Sequence, residues 1–162
     1  MEPDIIENLS KEQVNAIHDK LEEFDHNYTR VDLSVGINLG IIEDGKVIAG
    51  VVSSVTSFKI LYISTIFVDE AYRRKGIGKI LMLELENRAK KQGVNLIRVD
   101  TFNWQAPKFY TSLGYEQVGY YQNSEDGYAE HFFIKRLNPD RAVKQRDIYY
   151  SKLAEVALYN EI

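Results

Sequence analysis

The sequence predicts a single α+β domain built on an α/β mixed sheet, and three observations predict it. Apolar residues alternate along residues 35–55 around an Asp44-Gly45 turn, the pattern of a hairpin. From Gly76 the apolar spacing lengthens to that of a helix. Between Ile60 and Thr101 the chain then reads strand, helix, strand, which requires a parallel pairing by a right-handed crossover.

In chain order, Ile5-Ile6 reads as a short first strand. Ser10 with Gln13 three positions later forms a capping box, and Val14, Ile17, Leu21 and Phe24 follow on one helical face. Val35, Ile37, Leu39 and Ile41 point one way along a strand that turns at Asp44-Gly45 and returns over Val47 to Val55. Ile60 to Val68 is almost wholly apolar or small, as in a strand buried on both faces, and completes an antiparallel meander. Ile77, Leu81, Leu85 and Ala89 mark a helix that ends at Gly93, with Lys90 and Lys91 in its last turn. Leu96 to Thr101 is the next strand, and Pro107 opens a short helix that stops before Gly114. Tyr115 to Tyr121 and Ala129 to Lys135 form a closing antiparallel pair, and Asn138-Pro139 ends the last strand. Beyond it, Tyr149, Leu153, Val156 and Ala157 recur at helical spacing.

The composition narrows the function. The chain has 162 residues, a net charge of −4 and no cysteine. An acidic balance argues against nucleic acid or an anionic membrane as the main partner. Without cysteine there is no disulfide, thiolate nucleophile or thiolate-held metal in the chain. The acidic start Met1-Glu2-Pro3-Asp4 lacks the pattern of a secretory signal, so a cytoplasmic location is expected.

The most informative segment runs from Ile66 through Lys79 and contains Arg73-Arg74-Lys75-Gly76-Ile77-Gly78-Lys79. A basic, glycine-containing loop opens a helix directly after a strand. Unpaired first-turn amides, the helix dipole and close backbone approach all favour an anion there. A P-loop is excluded, because Ile80 follows Lys79 and Arg73 stands at the first glycine position. A dinucleotide fingerprint fails because Leu81 replaces its third glycine. The alternative to an anion site is a turn with solvated cations.

Arg-x-x-Gly-x-Gly resembles the pyrophosphate loop of acyl-CoA-dependent N-acyltransferases. Asn103-Trp104-Gln105-Ala106-Pro107-Lys108-Phe109-Tyr110, followed by Gly114-Tyr115, resembles the second signature of the GNAT superfamily of N-acetyltransferases. The two motifs lie in that family's order, and the resemblance spans residues 4–136. It implies a GNAT domain over residues 1–137 with a C-terminal helical tail over 138–162. It further implies acetyl-CoA as acyl donor and a small-molecule or peptide amine as acceptor; with no cysteine to carry an acyl-enzyme, direct transfer in a ternary complex is the simpler mechanism. A non-catalytic acyl-CoA sensor is the alternative.

By the same resemblance, backbone amides from Arg74 through Lys75, Gly76, Ile77, Gly78 and Lys79 would hold the pyrophosphate, with charge added by the Arg73 and Lys79 side chains. Ile66, Phe67 and Val68 would pair with the pantetheine arm, with the Val68 amide polarising the thioester carbonyl. Asn103 would contact the same arm. Tyr110 takes the general-acid position, since a phenol can protonate the departing thiolate. The base is not named by the motif. Asp100 at the end of its strand is the first candidate and His131 the second, each with a structural alternative: a strand-end carboxylate bound to backbone, and a packing histidine. Trp104 reads first as a cap on the sheet and second as a wall of the acceptor pocket. The tail stripe motivates a homodimer.

Overall fold

The computed structural model describes residues 5–27, 35–56, 58–123 and 125–138. The chain divides into two compact units, Met1–Asp32 and Leu33–Ile162. The first contributes one helix, α1 (Lys11–Asp25), with the expected capping box. Gln13 N–H donates to Ser10 Oγ at 3.3 Å, and Ser10 N–H donates to Gln13 Oε1 at 2.8 Å. The first strand expected at Ile5-Ile6 does not form. Among the described residues no strand pairs with these two, so they lack the ladder that extended backbone needs.

The second unit carries a six-stranded sheet: β1 (Leu39–Glu43), β2 (Lys46–Val55), β3 (Ile60–Val68), β4 (Leu96–Phe102), β5 (Glu116–Gln122) and β6 (Ala129–Arg136). Its spatial order is β1-β2-β3-β4-β6-β5. The meander β1–β3 is antiparallel, turning at Asp44-Gly45 with both φ positive. β1 begins at Leu39 rather than Val35 because a side chain replaces the ladder before it. Ile37 N–H donates to Ser53 Oγ at 3.2 Å, and that hydroxyl donates to Ile37 O at 2.6 Å. β3 and β4 form the one parallel pair, and β6 sits between β4 and β5, antiparallel to both.

Helix α2 (Ile77–Lys91) makes the crossover and lays Leu81, Met82, Leu85 and Ala89 against β1–β3. Val51, Leu61, Ile63, Ile97, Val99 and Phe133 complete this core, each worth about 1.5–3 kcal/mol when fully removed from water if of Val, Leu, Ile or Phe type. α3 (Pro107–Ser112) packs near β5. One expectation is corrected here: β3 is buried on one face only. Leu61 and Ile63 are core and Ile66 and Val68 pack against it, whereas Ser64, Thr65 and Phe67 are exposed; the register slips at Ser64, opposite Val52 and Ser53, which moves the inward positions from 61 and 63 to 66 and 68. Among the described residues no helix is long and apolar enough to cross a membrane. The tail stripe, and with it the dimer expectation, lies outside the described residues.

Candidate active site

The parallel pairing stops at Ile63 and Val99, while β3 runs on to Val68 and β4 to Phe102. Two strand edges thus part, and the gap is a cavity of about 950 Å³. One end is basic and is built largely from backbone. The other is built from side chains.

At the basic end, Asp69 N–H donates to Ile48 O across the meander at 2.8 Å. Strand alternation therefore turns the Val68 and Ile66 peptide groups toward the gap. The Val68 carbonyl takes the Arg73 guanidinium (Nε to O, 2.9 Å), leaving the amide on that edge. A 3-10 turn at Glu70–Tyr72 leads into the loop. There Arg74 at φ 60° and Gly76 at φ 83° swing the chain into α2. Left-handed backbone costs a non-glycine residue about 1–2 kcal/mol, so Arg74 is held by its surroundings and Gly76 suits its place. The first α2 bond is Ile80 N–H to Gly76 O, so the amides of Ile77, Gly78 and Lys79 have no intrahelical partner. Gly78 also permits a close approach: a Cβ there would lie 3.3 Å from Phe109 Cζ. Ile66, Phe67, Val68, Arg73, Arg74, Gly76, Ile77, Gly78 and Lys79 all line the cavity. Lys75 does not line it; its ammonium lies over the Tyr72 ring at 5.4 Å.

At the other end, Asp100 is the one acidic residue on the lining among the described residues. The Tyr62 hydroxyl lies beside it, and that carboxylate, ahead of burial, holds the Tyr62 phenol above its ordinary range. Tyr110 is buried and lines the same cavity, its ring packed on Phe109, Tyr115 and Phe133. Burial, and secondarily the charge of Asp100, push its phenol up to about 12, so it is fully protonated at neutral pH.

Like Lys75, two further expected site residues are not brought to the cavity. Asn103 is exposed, with its N–H spent on Ala129 O at 2.9 Å. His131 lies on the strand beyond β4, stacked on Tyr120 at 6.0 Å, and its buried Nδ1 has no hydrogen-bond partner among the described residues. The placement favours its packing alternative. Thr101 and Gln105 also line the cavity and were not anticipated. Thr101 donates to Gln105 Oε1 at 3.2 Å, and Gln105 Oε1 also accepts Phe102 N–H at 2.9 Å, so Gln105 fastens the loop after β4. Its signal was a polar residue one step before Ala106-Pro107. Trp104 stacks on Phe102 at 4.6 Å and lines the cavity. Among the described residues no group of His, Asp or Glu is arranged to hold a metal.

Comparison with known proteins agrees with this geometry. Residues 4–115 match the model of the acetyltransferase (GNAT) family. The chain is 30% identical over 96 residues to a blasticidin-S acetyltransferase of Streptomyces morookaense, covering 59% of this chain and 70% of that protein. The fold matches an acetyltransferase from Bacillus cereus at TM-score 0.73 and 31% identity, over 82% of this chain and 97% of that one. It also matches an aminoglycoside 6'-N-acetyltransferase complexed with coenzyme A, at TM-score 0.56 and 15% identity, over 63% and 73% of the two chains; this likeness is one of fold. With a family match over most of its length and the parted strands, basic glycine loop and α2 N-terminus all in place, the chain belongs to the acetyltransferase (GNAT) family.

Proposed function

We propose that the chain transfers an acetyl group from acetyl-CoA to a primary amine of a small molecule or peptide, by direct attack in a ternary complex. The observation that carries this reading is a single cavity lined by the N-terminus of α2, whose first amides have no intrahelical partner, and by Asp100 and Tyr110. The amides of Ile77, Gly78 and Lys79 bind the pyrophosphate, and the free edge of Ile66–Val68 pairs with the pantetheine arm. The Val68 amide then lies where charge develops on the thioester oxygen.

A free alkylamine with a pKa near ~10.4 is charged at pH 7 and must lose a proton before it attacks. Asp100 accepts that proton, directly or through water. The amine nitrogen forms its bond to the carbonyl carbon and sheds its second proton along the same Asp100 path; the C–S bond breaks with its electron pair going to sulfur, and Tyr110 donates its proton there. Of the two protons taken from the amine, one returns to the Tyr110 phenolate and the other leaves to solvent, which restores both groups. A phenol held near 12 is a proton donor that stays loaded at neutral pH; its bond to sulfur strengthens only as thiolate charge appears, which is what lowers the barrier. A sensor of acyl-CoA has no use for a donor and an acceptor of protons facing one gap.

The test is thiol release from acetyl-CoA over a panel of amines, with L-ornithine and blasticidin S among them. A chain without cysteine gives no protein background to a thiol reagent. Amine-dependent thiol release with formation of the N-acetyl product is expected. Acetyl-CoA binding with no acetylated product from any amine class would favour the sensor.

A further inference from the structure

Glu86 is an acid on the buried stripe of α2, 4% exposed, and the transfer chemistry makes no use of it. Lys135 Nζ reaches it from β6, 2.8 Å from both carboxylate oxygens. Of the three ion pairs among the described residues, this is the one with a buried carboxylate. Such a pair is a poor device for stability alone, since apolar residues of like volume commonly do as well. Its geometry suggests another use. The third Lys135 donor goes to Leu113 O at 2.8 Å, the residue that ends α3.

α3 has six residues, too few to be stable by itself, so its orientation depends on what holds its two ends. One end rests through Phe109 on Gly78. The other presents last-turn carbonyls that have no intrahelical partner and favour a cation. Lys135 supplies it. Leu113 N–H and Tyr115 N–H both donate to Tyr110 O, at 3.1 and 3.0 Å, so the segment that Lys135 grips is bonded directly to Tyr110. The Tyr115 ring lies under the same ammonium at 5.3 Å and edge-on to Tyr110 at 5.8 Å.

We infer that Glu86 and Lys135 are positioning residues for Tyr110: Glu86 fixes the ammonium, and the ammonium fixes the C-terminus of α3 and with it the phenol facing the cavity. Neither residue lines the cavity, so neither is catalytic. The inference rests on the reading of Tyr110 as proton donor to the cofactor sulfur.

The test uses the full chain with ring-carbon-labelled tyrosine, the Tyr110 signal being assigned by its loss in Tyr110→Phe. Coenzyme A is titrated while its Kd is measured by calorimetry. In the wild type the Tyr110 signal shifts on binding. In Glu86→Gln, Kd stays within about twofold while the Tyr110 response falls by about half or more, because the arm still binds and the phenol no longer meets it. With a turned-over amine, kcat falls about tenfold or more at unchanged KM for acetyl-CoA, and Glu86→Gln adds no further loss in a Tyr110→Phe background. Should Glu86→Gln fold poorly, Glu86→Leu with Lys135→Met removes the pair without leaving a buried charge, and the same loss of response is expected. A Tyr110 response of wild-type size in these variants, or an additive loss of kcat, overturns the inference. A wild-type protein that binds coenzyme A without any Tyr110 response overturns the proton-donor reading itself, and the positioning role falls with it.

Discussion

At the basic end of the cleft the working groups are peptide amides, fixed by the helix and strand that contain them; at the Asp100–Tyr110 end they are side chains, fixed by neighbours distant in sequence. The first end is complete once the Arg73–Lys79 loop enters α2, because the amides of Ile77, Gly78 and Lys79 need no partner to point outward. The second requires β4 to place Asp100, Tyr62 to stand beside it, and α3 to be held at both ends before Tyr110 meets the cavity. Under the proposed function this difference becomes a division of labour: changes at the basic end are expected to act on cofactor affinity, and changes at the other on turnover.

The sharpest way to break that division is Tyr110→Phe. Loss of a general acid lowers kcat by about 10²–10⁴-fold, while calorimetry finds the acetyl-CoA Kd unchanged. A change in Kd as large as that in kcat would erase the distinction between the two ends.

A second consequence of Tyr110 burial is seen in stability. Its phenol titrates near 12 when folded and near its ordinary value of about 10 when unfolded, so the unfolded chain loses its proton first. The stabilisation is present in full below pH 10 and is lost as pH rises toward 12, on the order of 3 kcal/mol for this group. Urea unfolding at pH 8 through 11.5 follows it, and Tyr110→Phe shows a shallower alkaline decline than the wild type.

Smaller effects belong to the backbone end. Gly76→Ala places a Cβ at φ 83°, with a strain of about 1–2 kcal/mol that the loop relieves by moving. The acetyl-CoA Kd rises about tenfold, with kcat at saturation nearly unchanged. Arg73→Ala removes an exposed cation and weakens binding less than about fivefold, an effect that added salt diminishes further.

Sequence reading reached the two ends unequally for the same reason. The meander, α2, β4 and α3 were legible because alternation, helical period, Asp44-Gly45 and Pro107 are local signals. The basic loop was legible because glycines and cations at fixed spacing belong to one segment. Ile5-Ile6 was misread as a strand because two apolar residues fit that pattern whether or not a partner exists. Asn103 lies at the expected point in the chain, but its neighbours Thr101, Trp104 and Gln105 face the cavity, a matter of side-chain direction that spacing does not report. Tyr62 beside Asp100 and Lys135 beside Glu86 are separated by 38 and 49 positions, so only the sheet order and the α2 crossover bring them together. An acid on the apolar stripe of α2 was nonetheless a visible irregularity, and it marks the one buried carboxylate in an ion pair among the described residues.

The most direct measurement is calorimetric titration of acetyl-CoA into the wild-type chain, Gly76→Ala and Tyr110→Phe, with ATP and NAD as controls. Saturable acetyl-CoA binding is expected in the wild type, with the same affinity in Tyr110→Phe, about tenfold weaker binding in Gly76→Ala, and far weaker binding of ATP and NAD. Absence of acetyl-CoA binding in the wild type, or equal binding in Gly76→Ala, would contradict the assignment of the basic loop as the cofactor end of the cleft.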